Sequence, residues 1–122
     1  MKITQQTAIG AVFVVLAIAV IYFVFLGPGK YDDFARCLSD KGAKMYGAFW
    51  CPHCNEQKEM FGGSWKYAPY VECSNPDRTQ KELCNAEGIT GYPTWRFAGG
   101  KEETGLMTFE ELSAATGCPL PE

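Results

Sequence analysis

Trp50-Cys51-Pro52-His53-Cys54 sets two thiols three positions apart, just after an apolar stretch and at the opening of a segment with helical periodicity. On a helix, positions three apart share a face, so the two sulfurs can meet and close a small disulfide ring. Thiol-disulfide exchange needs this arrangement, because one thiolate must attack and a second must resolve the mixed disulfide. Cys51 falls at the helix start, where unpaired backbone N–H groups and the positive end of the helix dipole favour thiolate over thiol. It is the expected nucleophile, with a pKa expected at about 3.5–7.5, and Cys54 is the expected resolving partner. Pro52 suits a first helical turn, since its missing N–H has no intrahelical role there. His53 is the only histidine in the chain. It is expected to donate a hydrogen bond, or a positive charge when protonated, toward the Cys51 sulfur. Both effects stabilise the reduced form, and a pair with a stabilised reduced form is the stronger oxidant.

Two other chemistries use a Cys-x-x-Cys. Cys73 and Cys84 could complete a zinc site with Cys51 and Cys54, but structural zinc sites usually pair two short-spaced doublets, and these two are far apart for that. Attachment of a c-type haem needs His directly after the second cysteine, where this chain has Asn55. Redox exchange is the better reading, and no resident metal or cofactor is expected. A non-catalytic module, holding zinc or stapled by disulfides, is the rival from a different class.

The elements that must position the dithiol follow from pattern and punctuation. Asp32 or Asp33 can cap a short helix through Lys41, stopped by Gly42. Ala43 to Phe49 reads as a buried strand, Pro52 to Phe61 as the helix carrying the cysteines, and Tyr70 to Cys73 as a second strand. Ser74 to Arg78 is turn-rich, and Thr79 to Glu87 is a predicted helix ending at Gly88. Thr94 to Phe97 and Glu102 to Gly105 form a hairpin around Gly99-Gly100. Thr108 and Glu111 make a capping box for a last helix to Thr116, with Gly117 at its stop. The fold class is α/β, with a mixed sheet flanked by helices. Phe49, Trp50, Trp65, Tyr92 and Trp95 are expected mostly in the core, because so small a domain needs large side chains to build one.

Ahead of this domain, residues 8–26 carry no charge, a run of 19 apolar or neutral positions ending before Gly27-Pro28-Gly29. At 1.5 Å per residue they span about 28 Å, close to the hydrocarbon thickness of a bilayer. Residues 1–29 are therefore expected to be a single membrane anchor and short linker, and residues 30–122 the catalytic domain. A cleaved signal peptide is the rival. The apolar run is longer than a usual h-region, and no Ala-x-Ala-like site follows.

Beyond the anchor lie ten Lys and Arg against 14 Asp and Glu, a net charge of −4. That excess disfavours nucleic acid as a partner. All six cysteines lie there too, an even number that suits an oxidising compartment. Lys2 flanks one end of the anchor while Lys30, Arg36, Lys41 and Lys44 follow the other, which by charge alone would leave the domain in the cytoplasm. The cysteines outweigh that count, since structural disulfides would not persist in the cytosol. The domain is expected on the extracytoplasmic side. Cys73 ends a strand and Cys84 lies in the next helix, so they are paired here. Cys37 in the first helix is paired with Cys118 after the last. Four cysteines allow three connectivities, and spacing does not exclude the other two.

The order of elements, with Cys51-x-x-Cys54 after the first strand and Pro93 before the third, resembles the thioredoxin fold. Local wording is similar to the thioredoxin-like domain fused to, or accompanying, bacterial homologues of vitamin K epoxide reductase. The matching stretches are Phe34-Ala-Arg-Cys37-Leu, Met45 through Cys54, Gln57-Lys58, Phe61-Gly62, Tyr70-Val-Glu-Cys73 and Gly91-Tyr-Pro-Thr-Trp95. The resemblance implies a cis Tyr92–Pro93 bond against the disulfide, and Trp50, Pro52, Tyr92 and Pro93 as the surface that meets an extended substrate. It also implies protein thiols and disulfides of exported proteins as substrates, and reoxidation by a vitamin K epoxide reductase-like or other quinone-linked membrane protein. Thioredoxins usually carry a buried acid six positions before the first cysteine; this chain has Met45 there. Whether the domain acts as oxidase, isomerase or reductase is left open by these residues.

Overall fold

The computed structural model describes residues 4–121. Lys2 and Glu122, which entered the charge arguments above, lie outside the described residues.

Helix α1, Gln5–Phe25, opens on Gln5-Gln6-Thr7, is apolar on all sides from Ala8 onward, and buries none of its side chains against the rest of the chain. It is long and apolar enough to cross a membrane. Leu26 closes it by donating its N–H to the Tyr22 carbonyl, and a short Gly-Pro-Gly linker follows.

The remaining chain forms a four-stranded sheet with helices around it. In order come α2 (Asp32–Asp40), β1 (Lys44–Gly47), α3 (Pro52–Phe61), a 3-10 segment (Gly62–Tyr67), β2 (Tyr70–Glu72), α4 (Glu82–Ala86), β3 (Thr94–Arg96), β4 (Glu102–Thr104) and α5 (Phe109–Thr116). The sheet runs β2-β1-β3-β4. β1 pairs with β2 in parallel, as the α3 crossover between them requires, and the other two pairings are antiparallel. This mixed α/β sheet is a thioredoxin-like fold.

The core lies where α2, α3 and α5 cover β1 and β3. Leu38, Met45, Phe61, Trp95 and Leu112 are all essentially inaccessible to solvent. Phe34, Phe61 and Phe109 pack edge-on or stacked with ring centroids 5.0 to 6.1 Å apart. The polar side chain of Gln57 is fully buried among them. Gln57 of α3 accepts from Trp95 Nε1 at 3.2 Å and from the Met107 N–H at 2.9 Å, and donates to the Met107 carbonyl at 3.1 Å. With its donors and acceptors matched, this amide locks the dithiol helix to the sheet and to the α5 approach without an unpaired buried group.

Several elements differ from the sequence reading. β1 stops at Gly47, because Ala48 to Cys51 turns back on itself through a Cys51 N–H to Ala48 carbonyl bond of 3.1 Å. Phe49 and Trp50 thus leave the sheet and are 46% and 37% exposed, whereas Trp95 is wholly buried as expected of a core residue. α4 begins at Glu82 rather than Thr79. Residues 79–81 are used otherwise: Asp77 Oδ1 accepts from the Thr79 N–H and hydroxyl, and Ser74 and Gln80 form an antiparallel bridge. The start of α2 also departs, for Tyr31 is its cap residue. Asp32 turns backward to accept the Gly29 N–H at 2.8 Å. The α5 capping box forms in both directions, with Thr108 and Glu111 exchanging bonds of 3.1 Å, and Gly117 ends the helix at φ 79°.

Candidate active site

Cys51 caps α3 in extended conformation and Pro52 opens its first turn, so the first thiol stands at the end of the helix where backbone N–H groups are unpaired. Cys54 lies one turn in. Both are free thiols; Cys51 is 6% exposed and Cys54 is not exposed at all. Burial pushes the Cys54 thiol up to about 12, and its hydrogen-bonded contact with Cys51 adds to the rise while the backbone at Ala48 opposes it. The two sulfurs therefore differ in access, and Cys54 is harder to ionise than an ordinary thiol because of its burial.

Tyr92 and Pro93 come to the dithiol from the segment before β3. Their peptide bond is cis, and the Tyr92 carbonyl lies 3.8 Å from Cys51 Sγ as an acceptor. Trp50 stands on the other side, its indole N–H donating to Ser74 Oγ at 2.8 Å and its ring meeting Tyr92 edge-on at 5.9 Å. The Tyr92 hydroxyl donates to Gln80 Oε1. Trp50, Pro52, Tyr92 and Pro93 are thus gathered around Cys51 by two separate stretches of chain. His53 is placed differently. It points outward on the first turn of α3, with Nδ1 3.3 Å from Glu56 Oε2, and that carboxylate rather than the Cys51 sulfur is its hydrogen-bond partner. His53 lies two residues past the Cys51 cap on the exposed side of the first turn, whereas Cys51 is buried, so closeness in sequence does not become contact.

Cys37 is bonded to Cys118, and Cys73 to Cys84. Cys73 and Cys84 are therefore committed to each other and do not complete a metal site with the dithiol. Their bridge joins the end of β2 to α4 and frames the loop whose Ser74 holds Trp50.

Three residues near the dithiol belong to stretches that carry the motif resemblance but are not among the site residues expected from sequence. Gly47 ends β1 against Cys54: a Cβ there would lie 2.9 Å from Cys54 Sγ and 3.0 Å from the Tyr70 ring. Tyr70 and Glu72 share one face of β2, and the Tyr70 hydroxyl donates to Glu72 Oε2 at 2.9 Å. Their i, i+2 spacing on a strand was the available signal.

A reduced-state stability profile follows from Cys54. Its folded-state pKa, about 12, lies above the ordinary 9.0, so the folded protein holds this proton more tightly than the unfolded chain. The stabilisation is complete below pH 9.0 and is lost as pH rises toward 12. The thermal stability of the reduced protein should fall over that alkaline range more steeply than that of the oxidised protein, in which Cys54 does not titrate. Parallel curves for the two redox forms would contradict the assignment.

Fold and site together define a thioredoxin-like domain with a Cys-x-x-Cys dithiol at the start of the helix that follows its first strand. No protein-family model matches the chain. It is 45% identical over 94 residues to Thiol-disulfide oxidoreductase LTO1 of Arabidopsis thaliana, a match covering 72% of this chain and 24% of that protein. The chain thus spans about a quarter of the length of the curated relative it matches.

Proposed function

We propose that this chain is a membrane-anchored thiol-disulfide oxidoreductase that works through Cys51 and Cys54, and that it forms disulfides in exported proteins on the extracytoplasmic side. The observation that carries the reading is a pair of adjacent free thiols of unequal burial at a helix start, in a chain 45% identical to a protein named a thiol-disulfide oxidoreductase. In donation a substrate thiolate attacks Cys51 and Cys54 leaves, and the substrate's second thiolate then displaces Cys51 and takes the disulfide; in reoxidation Cys51 attacks the redox partner's disulfide and Cys54 displaces the partner sulfur from Cys51. Trp50, Pro52, Tyr92 and Pro93 form the surface against which an extended substrate lies, and the Tyr92 carbonyl beside Cys51 constrains the path of approach. The remaining four cysteines, joined in two disulfides, favour an oxidising compartment.

Reoxidation is assigned to a quinone-linked membrane protein of the vitamin K epoxide reductase type. Support comes from the resemblance in the motif stretches and from α1, which would hold both proteins in one bilayer and raise their effective concentration. Isomerase and reductase are the alternatives within the same chemistry.

The equilibrium potential of the Cys51/Cys54 pair, measured against glutathione on the full chain in detergent, tests the direction. A value at the oxidising end, toward about −120 mV, supports disulfide donation, and one near about −270 mV makes the chain a reductase. His53→Ala should lower the potential by roughly 30 mV, equivalent to about 1.4 kcal/mol, if the imidazole stabilises the thiolate through its charge. An unchanged potential would leave His53 as a surface partner of Glu56.

A further inference from the structure

We propose that Glu72, acting through the Tyr70 hydroxyl, accepts and returns the proton of Cys54; the assignment rests on the exchange chemistry proposed above and names the group that serves its resolving thiol. Cys54 is wholly buried, so its proton cannot pass straight to bulk water. At the strand position facing the dithiol helix where a carboxylate could sit, the chain has the inert Met45. A polar route does exist on the adjacent strand. Gly47, by lacking a side chain, leaves one slot into which both Cys54 Sγ and the Tyr70 ring edge project; a Cβ there would lie 2.9 Å from the sulfur and 3.4 Å from the phenol oxygen. Tyr70 then donates to Glu72 Oε2 at 2.9 Å, and the register Gly47↔Glu72 puts that carboxylate at the same end of the sheet as the dithiol. Glu72 is only partly covered, so it can exchange its proton with solvent.

The charged and titratable groups facing this path are few. Lys58 of α3 lies 4.1 Å over the Tyr70 ring and favours a Cys54 thiolate. Cys51 faces it from the helix start, and Tyr92 from the segment before β3. In the resolving step the Cys54 S–H bond breaks, its proton moves to the Tyr70 oxygen, directly or across one solvent molecule, and the Tyr70 proton moves to Glu72. Cys54 sulfur then attacks Cys51 sulfur, the bond from Cys51 to the substrate sulfur breaks, and the electron pair leaves on the substrate thiolate. When a substrate thiolate opens the Cys51–Cys54 disulfide instead, the same path returns a proton to the departing Cys54.

Reduced full-length protein in detergent, mixed rapidly with Ellman's reagent, separates the steps. Cys51 releases the first thionitrobenzoate, and Cys54 releases the second from the mixed disulfide on Cys51. Glu72→Gln keeps an oxygen to accept from Tyr70 but removes the base. It should slow the second release at least about tenfold near neutral pH and move its rise to higher pH, leaving the first release unchanged. Tyr70→Phe should do the same, and Glu72→Asp should restore part of the rate. Equal rates and pH profiles for wild type and Glu72→Gln overturn the proposal, and so does a slowing that is uniform across pH, which marks a structural role. If the wild-type chain itself gives no second release, the exchange reading has failed and the Glu72 assignment falls with it.

Discussion

Cys51→Ser should reduce disulfide exchange to the uncatalysed rate, while Cys54→Ser should accumulate covalent complexes with substrate proteins. The asymmetry follows from position. Cys51 reaches the surface beside the Tyr92 carbonyl, and Cys54 is enclosed behind it with its thiol pushed up to about 12. A substrate sulfur can therefore bond only to Cys51, and without Cys54 nothing inside the domain displaces it. Mass spectrometry of unreduced Cys54→Ser checks the trapped species. Timed alkylation of the reduced wild type provides a second check, with Cys51 labelled before Cys54. Label appearing first on Cys54 would reverse the two roles and refute the mechanism.

Removing the Cys37–Cys118 bridge should destabilise the domain more than removing Cys73–Cys84. The two bridges close separations of 81 and 11 residues. Chain entropy then gives about 4.5 kcal/mol for the first and about 2.8 kcal/mol for the second. The longer bridge ties α2 to the chain beyond α5, the two ends of the domain. Paired Cys→Ala variants compared by urea unfolding of the full chain test the order. The shorter bridge has a separate consequence, because it frames the loop whose Ser74 holds Trp50. Its loss should slow exchange while leaving most of the stability. A Cys73→Ala/Cys84→Ala protein less stable than the Cys37→Ala/Cys118→Ala protein would show that the denatured chain is not the main seat of the effect.

Much of this molecule is local enough to be legible in one dimension. The Pro52–Phe61 helix, the α5 capping box, the Gly117 stop and the apolar run that becomes α1 are each set by residues within a few positions of one another, so spacing alone determines them. The same holds for the dithiol, since a helix must bring Cys51 and Cys54 together wherever it is packed. Strand and helix ends were less legible. Thr79 to Lys81 has acceptable helix formers, but Asp77 and the Ser74–Gln80 bridge offer the backbone better partners.

What only the tertiary structure decided is what surrounds the sulfurs. Spacing left three disulfide connectivities open; folding brings the Cα atoms of Cys37 and Cys118 to 5.8 Å, and those of Cys73 and Cys84 to 5.6 Å. His53, two positions from Cys51 in sequence, turns to Glu56, while Tyr92 arrives from a distant segment to face Cys51. Gln57 looks like a surface residue until Trp95 and Met107 close around it. Tyr70 acquires its place beside Cys54, and Glu72 its place on the Tyr70 hydroxyl, because β2 pairs in parallel with β1 and Gly47 leaves the gap. A sequence pattern specifies which groups a helix or strand presents on one face. Burial and long-range pairing determine which of those groups meet, and hence where protons can move.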